Sequence, residues 1–212
     1  MRRTDARAAP SVGLGTSVTT VLRTSFFSNV TAVVGTGIWN GYLKPGSAFD
    51  PCGDLAAIQP QMFDQFAAMY NRYKVDKCHI RIKINGNTGS GAANWVAAAY
   101  PAVDPTAAAT YQAAASQQYA KTTSGAFQLY NLLAPGAPGK TLSFKLNHDS
   151  IIGAKSDTWD IGALVTADPT ALQYMVLPMF IQGSGAGSHT FVLEIDMFQT
   201  VTFSQKKNTV DA

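Results

Sequence analysis

Four nitrogen-bearing side chains alternate along one segment of the chain: Lys77, His79, Arg81 and Lys83. In an extended strand, residues two apart project from the same face about 6.5–7 Å from one another. That spacing can follow a phosphate backbone or an acidic partner. The alternative is an exposed strand face that its charge keeps soluble. Tyr73, between Arg72 and Lys74, adds an aromatic ring for base stacking, which favours single-stranded nucleic acid.

The formal net charge of +3 is concentrated near the N-terminus. Within the first 23 residues only Asp5 opposes four arginines, and basic and acidic residues are equal in number in the rest of the chain. We predict that residues 1–15 form a short basic arm that contacts phosphates, the other interpretation being a frayed, solvated end. The candidate nucleic-acid contacts are therefore Arg2, Arg3, Arg7, Arg23, Lys77, Arg81 and Lys83.

Residues 134–141 superficially match a phosphate-binding loop because they end in Gly-Lys-Thr. Such a loop wraps phosphates with consecutive backbone N–H groups and then opens a helix. Here Pro135 and Pro138 remove two of those donors. Residues 142–146 then alternate between apolar and polar side chains, as in a strand. The sequence therefore predicts no nucleotide site at this position.

No other motif completes a catalytic or cofactor site, so we expect neither enzymatic activity nor a cofactor. The three histidines lie far apart in the sequence. Glu194 and Asp196 share one face of the last predicted strand and could hold a divalent cation or a neighbour's lysine, although a solvated polar face is favoured. Cys52 and Cys78 form neither a disulfide framework nor a metal site, and Cys78 is predicted to be a core residue.

The composition is typical of a subunit that is covered by its neighbours. Hydrophobic residues make up 46% of the chain and charged residues only 14%, and the centres of protein interfaces are depleted in charge. A chain of 212 residues fits one domain. Residues 1–20 never build the apolar core of a secretory signal, and no apolar run is long enough to cross a membrane. We therefore predict no membrane insertion.

The basic row would be positioned by a short helix that leads directly into a long strand. The helix is predicted from apolar residues at a spacing of 3.6, namely Phe63, Phe66, Ala67 and Tyr70. From Tyr73 the period becomes two, and the face opposite the basic row carries Cys78, Ile80, Ile82 and Ile84. The last strand, from Phe191 to Phe203, shows the same alternation.

The rest of the chain is divided by Gly, Pro and Asn into further elements. We predict strands over 16–27, from 29 to 34, and over 94–100, 126–133, 141–146 and 172–182, loops over 35–54 and 134–139, a turn over 85–91, and a helix from Asp104 to Tyr119. This pattern favours an all-β fold, a single jelly-roll sandwich of about eight antiparallel strands with one or two short helices in the connections. The jelly-roll domain would span residues 16–205, with a C-terminal tail over 206–212.

The order of these elements resembles the capsid proteins of small circular Rep-encoding single-stranded DNA (CRESS-DNA) viruses, the circovirus-like group. The resemblance rests on the helix end and strand over 70–84, the segment 139–145 running to Ile151-Ile152-Gly153, and the final strand. It implies a jelly roll that assembles with copies of itself into an icosahedral shell around single-stranded DNA. It also implies an arginine-rich arm that contacts the genome and serves nuclear import, and here Arg2, Arg3 and Arg7 make only a weak one.

We therefore predict a non-enzymatic viral capsid protein that forms a T=1 shell of about 60 copies. It would be found in the virion, and in the host nucleus during assembly, with a host receptor that the sequence does not identify. One alternative is the coat protein of a small RNA virus, because phosphate contacts do not distinguish the two sugars. The other is a carbohydrate-binding β-sandwich module, whose stacking platforms would be Trp39, Tyr42 or Trp95.

Overall fold

The computed structural model describes residues 17–33, 38–89, 94–126, 139–147, 149, 163–169, 173–182 and 188–207. Its elements, in chain order, are β1 (Ser17–Val33), β2 (Ile38–Leu43), α1 (Phe63–Met69), β3 (Tyr70–Gly89), β4 (Asn94–Ala102), α2 (Tyr111–Ala115), β5 (Lys121–Ala126), β6 (Lys140–Asn147), β7 (Ala163–Leu164), β8 (Tyr174–Gln182) and β9 (Ser188–Lys206).

Several sequence predictions lie outside the described residues. These are the arm with Arg2, Arg3 and Arg7, most of the strand predicted over 126–133, the segment 151–153, and residues 208–212 of the tail. The division into arm, domain and tail stays a prediction.

The strands form two antiparallel sheets. Sheet A has the order β1-β9-β3-β6, with the short β7 added to the end of β3. Sheet B has the order β2-β8-β4-β5. If β7 is left aside, consecutive strands switch sheets at every connection except that from β4 to β5. This is the strand order of a jelly roll, and it confirms the predicted all-β sandwich with short helices in its connections.

The core lies between the two sheets and follows the predicted alternation. On β3 the buried residues are Cys78, Ile80, Ile82 and Ile84, and on β9 they are Phe191, Leu193, Ile195, Met197, Val201 and Phe203. Sheet B contributes Met175, Leu177 and Met179 of β8 from the other side. Cys78 is a buried, unpaired thiol, as expected of a core residue. No helix in the described parts of the chain could span a membrane.

The short helix α1 closes one end of the core with aromatic rings. Phe63 is buried, and the Phe66 ring stacks on Phe203 with centroids 4.9 Å apart. Tyr70, the fourth residue of the predicted apolar face, is also buried but is already the first residue of β3. The helical spacing therefore identified the right contacts, although the strand begins three residues earlier than predicted.

One polar side chain occupies an inward position of β9. Gln199 is fully buried, and its amide donates hydrogen bonds to the backbone oxygens of Pro45 and Ser47, at 3.0 and 2.8 Å. These bonds tie the connection after β2 to sheet A. The same connection is held by Tyr73, whose hydroxyl lies 3.3 Å from the Ser47 hydroxyl.

Several predicted boundaries are wrong because strand pairing overrides local propensity. β1 is one strand and not two, because Asn29 falls on its exposed face and the alternation continues through it. The turn predicted over 85–91 is strand as far as Gly89, since it pairs with the start of β9. β2 lies in a segment predicted to be loop: Gly41 is needed there because a Cβ would lie 2.3 Å from the Trp39 ring.

The helix predicted from Asp104 to Tyr119 is much shorter. Asp104 accepts a hydrogen bond from the Thr106 backbone N–H at 2.8 Å, which forms a local turn and no helix. Thr110 is the actual cap, its hydroxyl accepting from Ala113 N–H, and α2 covers only Tyr111–Ala115. The Asp104-Pro105 pair, which was expected to begin a helix, therefore begins a local turn instead.

Replacing Gln199 with Leu tests the link between the sheet and the connection after β2. The variant leaves the backbone oxygens of Pro45 and Ser47 buried without these donors, so we expect a loss of about 2 kcal/mol in the free energy of unfolding, measured in urea. Hydrogen exchange over 44–51 should become faster. Thr200→Val, on the outward face of the same strand, is the control and should change neither quantity. Unchanged exchange in Gln199→Leu would contradict the proposed link.

Candidate nucleic-acid interface

The outer face of sheet A brings the predicted basic row next to side chains from three other strands. The register aligns Arg23 of β1, Phe198 of β9, His79 of β3 and Lys145 of β6 in one row across the sheet. The next row along the strands contains Val21, Thr200, Lys77 and Asn147. The interface is therefore built by register, with each strand supplying one side chain to each row.

Two of the predicted contacts are engaged in ion pairs on this face. Arg23 Nη2 lies 2.8 Å from Asp196 Oδ1, and Lys83 Nζ lies 3.1 Å from Glu194 Oε2. Arg81 also faces Asp196 across the β3–β9 pair. The two acids thus hold cations of their own sheet, and the divalent cation or neighbour's lysine considered for them from the sequence stays untested.

Within the part of the chain that the structure describes, neither Lys77 nor Lys145 has a carboxylate within ion-pair distance. They are diagonal neighbours on adjacent strands, because Lys77 pairs with Asn147 and Lys145 with His79. Diagonal neighbours lie about 7–8 Å apart at Cα. His79 lies directly opposite Lys145, and its Nε2 is 3.0 Å from the Ser143 hydroxyl oxygen.

A groove with a volume of about 440 Å³ opens over these two rows. Lys77, His79 and Lys145 line it together with the Phe198 ring and Val21. The Arg23 guanidinium carbon lies 5.3 Å from the centre of the Phe198 ring, which is a cation–π contact. The groove therefore combines an aromatic ring with positive charge that no described carboxylate neutralises.

The structure accordingly divides the predicted site. Lys77 lies in the groove, and Arg23 lies beside it. Arg81 is exposed on the next row, and Lys83 forms an ion pair with Glu194. Phe198 and Lys145 were not identified from the sequence. Each lies on the outward parity of a correctly predicted strand, but only the register between strands shows that they meet Lys77.

The aromatic residues proposed as sugar platforms do not form an exposed site. Trp95 is buried, with 3% of its surface exposed, and packs edge-on against Phe191. Trp39 is partly buried against the core. Tyr42 is half-buried and packs edge-on against Tyr174. This arrangement removes the main support for a carbohydrate-binding module.

A second charged cluster lies in the connection after β2 and is structural. Lys44 Nζ lies 2.6 Å from an Asp50 carboxylate oxygen and 2.7 Å from one of Asp168. Burial by itself would lower the pKa of Lys44, but the hydrogen bonds and charges of the two aspartates outweigh it and raise the pKa above its ordinary value. Ser47 also donates to Asp168, so the cluster joins this connection to the segment after β7.

Comparison with solved structures finds viral capsid chains. One is from the Macrobrachium rosenbergii nodavirus semi-empty virus-like particle, with 15% identity, coverage of 98% of this chain and 93% of that one, and a TM-score of 0.51. Others are from mud crab tombus-like virus (14% identity, 99% and 91% covered, TM-score 0.47) and Desmodium yellow mottle tymovirus (10%, 100% and 100%, 0.41). The nodavirus likeness supports a shared fold. No protein-family model and no curated protein matches the chain.

The Arg23–Asp196 ion pair makes the free energy of unfolding depend on pH in the acidic range. A hydrogen bond from Arg23 holds the pKa of the Asp196 carboxyl below its ordinary value of 3.8, outweighing partial burial. A carboxyl whose pKa is lowered by folding stabilises the fold above its unfolded-state pKa, and this contribution is lost as the pH falls through the folded-state pKa.

We therefore expect wild type and Asp196→Asn to differ by a constant free energy of unfolding from pH 7 to about pH 5, and to converge between about pH 4 and pH 2. The difference should stay below about 1 kcal/mol because the Arg23 side chain is 59% exposed. Urea unfolding at each pH measures it. In an Arg23→Gln background the difference should be smaller, and an equal difference with and without Arg23 would contradict the assignment.

Proposed function

We propose that this chain is a viral coat protein that assembles with copies of itself into a closed shell around nucleic acid, without catalysing a reaction. The observation that carries the proposal is the jelly-roll order of the two sheets, which have eight strands besides the short β7. The nodavirus chain that shares this fold comes from a virus-like particle. Because a fold alone does not determine function, the proposal also needs support from the surface of this chain.

Exposed apolar side chains on the surface support the proposal that copies of the chain contact one another. Large apolar side chains are exposed at several places: Val21, Phe27, Ile58, Met62, Val103, Tyr119 and Leu164. Phe27 is 71% exposed on β1, which is an edge strand of sheet A, and Val103 and Tyr119 are more than 70% exposed in the connection from β4 to β5. With charged residues at only 14% of the chain, such positions are suited to burial against a neighbouring subunit.

The enclosed nucleic acid is better supported as RNA than as DNA. The capsid chain that supports the shared fold is from a nodavirus, which is an RNA virus. It gives no support to the circovirus-like family or to its single-stranded DNA. We therefore adopt the RNA-virus coat protein, which the sequence left open as an alternative. The T=1 shell of 60 copies and a stay in the host nucleus remain predictions.

The proposed genome contacts remain those of the sequence, refined by the sheet. Arg2, Arg3 and Arg7 would reach phosphates from the arm, and Arg23, Lys77 and Arg81 from the outer face of sheet A. Lys83 is a weaker candidate because Glu194 already balances its charge. Phosphate contacts of this kind position the strand and carry no sequence information.

Expression of the full chain, followed by sedimentation and negative-stain microscopy, tests the coat function. We expect discrete closed particles of uniform diameter, and that diameter also tests the T=1 prediction. Phe27→Asp and Tyr119→Asp place charge at exposed apolar positions and should reduce assembly while leaving the far-UV circular dichroism unchanged. Lys74→Gln serves as a surface control. A persistent monomer or dimer at high protein concentration would overturn the proposal.

The nucleic acid inside the particles can be identified directly. Particles are treated with nuclease, opened, and their contents exposed to RNase or DNase. We expect material that is protected in intact particles and then digested by RNase alone. Contents that only DNase digests would instead restore the single-stranded DNA prediction.

A further inference from the structure

We propose that the groove on sheet A is a binding site for one unpaired nucleotide of a single-stranded nucleic acid. Its base would stack on the Arg23 guanidinium, which is backed by the Phe198 ring, and its phosphates would lie against Lys77 and Lys145. The inference rests on the proposed coat function, since it names where the enclosed strand meets the subunit. It adds the Phe198 ring and Lys145 to the contacts proposed above.

The charge distribution on the sheet favours this position. On one side of the groove, Asp196 and Glu194 balance Arg23 and Lys83. On the other side, Asp76 accepts a hydrogen bond from Thr202 at 2.5 Å and lies 3.9 Å from Lys74. Between these regions, Lys77 and Lys145 have no carboxylate partner among the described residues. On the first side a single further cation, Arg81, faces Asp196. Two neighbouring cations therefore attract an anion to the groove.

The stacking platform is already assembled. Asp196 holds the guanidinium at 2.8 Å, and the same guanidinium lies over the Phe198 ring. On the other side, the His79 ring is tilted 31° to Phe198, with centroids 6.3 Å apart. A planar guanidinium fixed in this way offers a flat, cationic surface, and bases stack on such surfaces in single-strand-binding proteins.

The shape of the site favours a single strand over a duplex. Stacking on a protein side chain needs a base that is free of its partner, as in loops and single strands. The volume of about 440 Å³ falls within the size range of ligand clefts. The two lysines are about 7–8 Å apart at Cα, so both can reach the backbone of one extended segment.

Binding of short labelled oligomers to the full-length chain tests the site. Fluorescence anisotropy with 12-residue oligouridine, oligothymidine and a duplex of equal length gives affinities over a range of salt concentrations. An oligomer containing 2-aminopurine reports stacking through quenching of its fluorescence. Three variants probe the site: Phe198→Leu, Arg23→Lys and the double variant Lys77→Gln/Lys145→Gln. The control is Lys74→Gln/Asp76→Asn, which removes two opposite charges, 3.9 Å apart, from the same sheet without changing net charge.

We expect distinct effects from stacking and charge. Phe198→Leu should weaken single-strand binding about tenfold and abolish the quenching, with an unchanged salt dependence. Arg23→Lys keeps the charge and should also lose the quenching. The lysine double variant should reduce the slope of log affinity against log salt by about 1.4, because each phosphate contact to a single strand contributes about 0.7. The control should match wild type, and the duplex should bind more weakly than either single strand.

The inference is overturned if Phe198→Leu keeps both affinity and quenching, or if the lysine double variant behaves like the control. Oligouridine and oligothymidine separate RNA from DNA as the preferred strand. Particle formation by the same variants is recorded independently. Empty particles of normal diameter from Phe198→Leu would support the groove. If the chain never assembles but binds oligomers in a way that these variants weaken, the groove proposal stands and the coat function is refuted.

Discussion

The antiparallel pairing of β3 with β9 is the constraint on which the rest of the structure depends. These are the two inner strands of sheet A, and their register runs from the Tyr70–Lys206 pair to the Gly89–His189 pair. Because side chains alternate along both strands, the unbroken register from Lys77 to Gly86 fixes two faces at once. The inner face brings Ile82 against Ile195 in the core, and the outer face brings Arg81 against Asp196.

This pairing also determines which cations are available to a ligand. The chain has a single glutamate, Glu194, and it lies with Asp196 on the outward parity of β9. Each carboxylate meets a cation from a neighbouring strand, so Arg23 and Lys83 are balanced within the sheet. Lys77 and His79 lie where β9 presents Phe198 and Thr200 in place of acids. The groove thus arises from the order of residues along β9 as much as from the lysines of β3 and β6.

The strands with strong alternation could be predicted from the sequence because burial on one face requires it. This applies to β3, β6 and β9, and it was enough to identify the sandwich and the face on which the basic row lies. β2 was missed because its glycine, which makes room for the Trp39 ring, is a local signal for a loop. The pairing of Lys145 with His79, and the position of Phe198 under Arg23, depend on register between distant segments. No local pattern encodes that register, so only part of the site could be predicted.

The central claim is that subunits of this jelly roll enclose a nucleic acid and meet it at the groove on sheet A. An electron cryomicroscopy map of nuclease-treated particles made by the full-length chain tests this most directly. We expect sheet A to face the interior, with density stacked beside Phe198 and continuing between Lys77 and Lys145. A map in which this groove faces the outside of the particle, or is filled by a neighbouring subunit, would contradict the account.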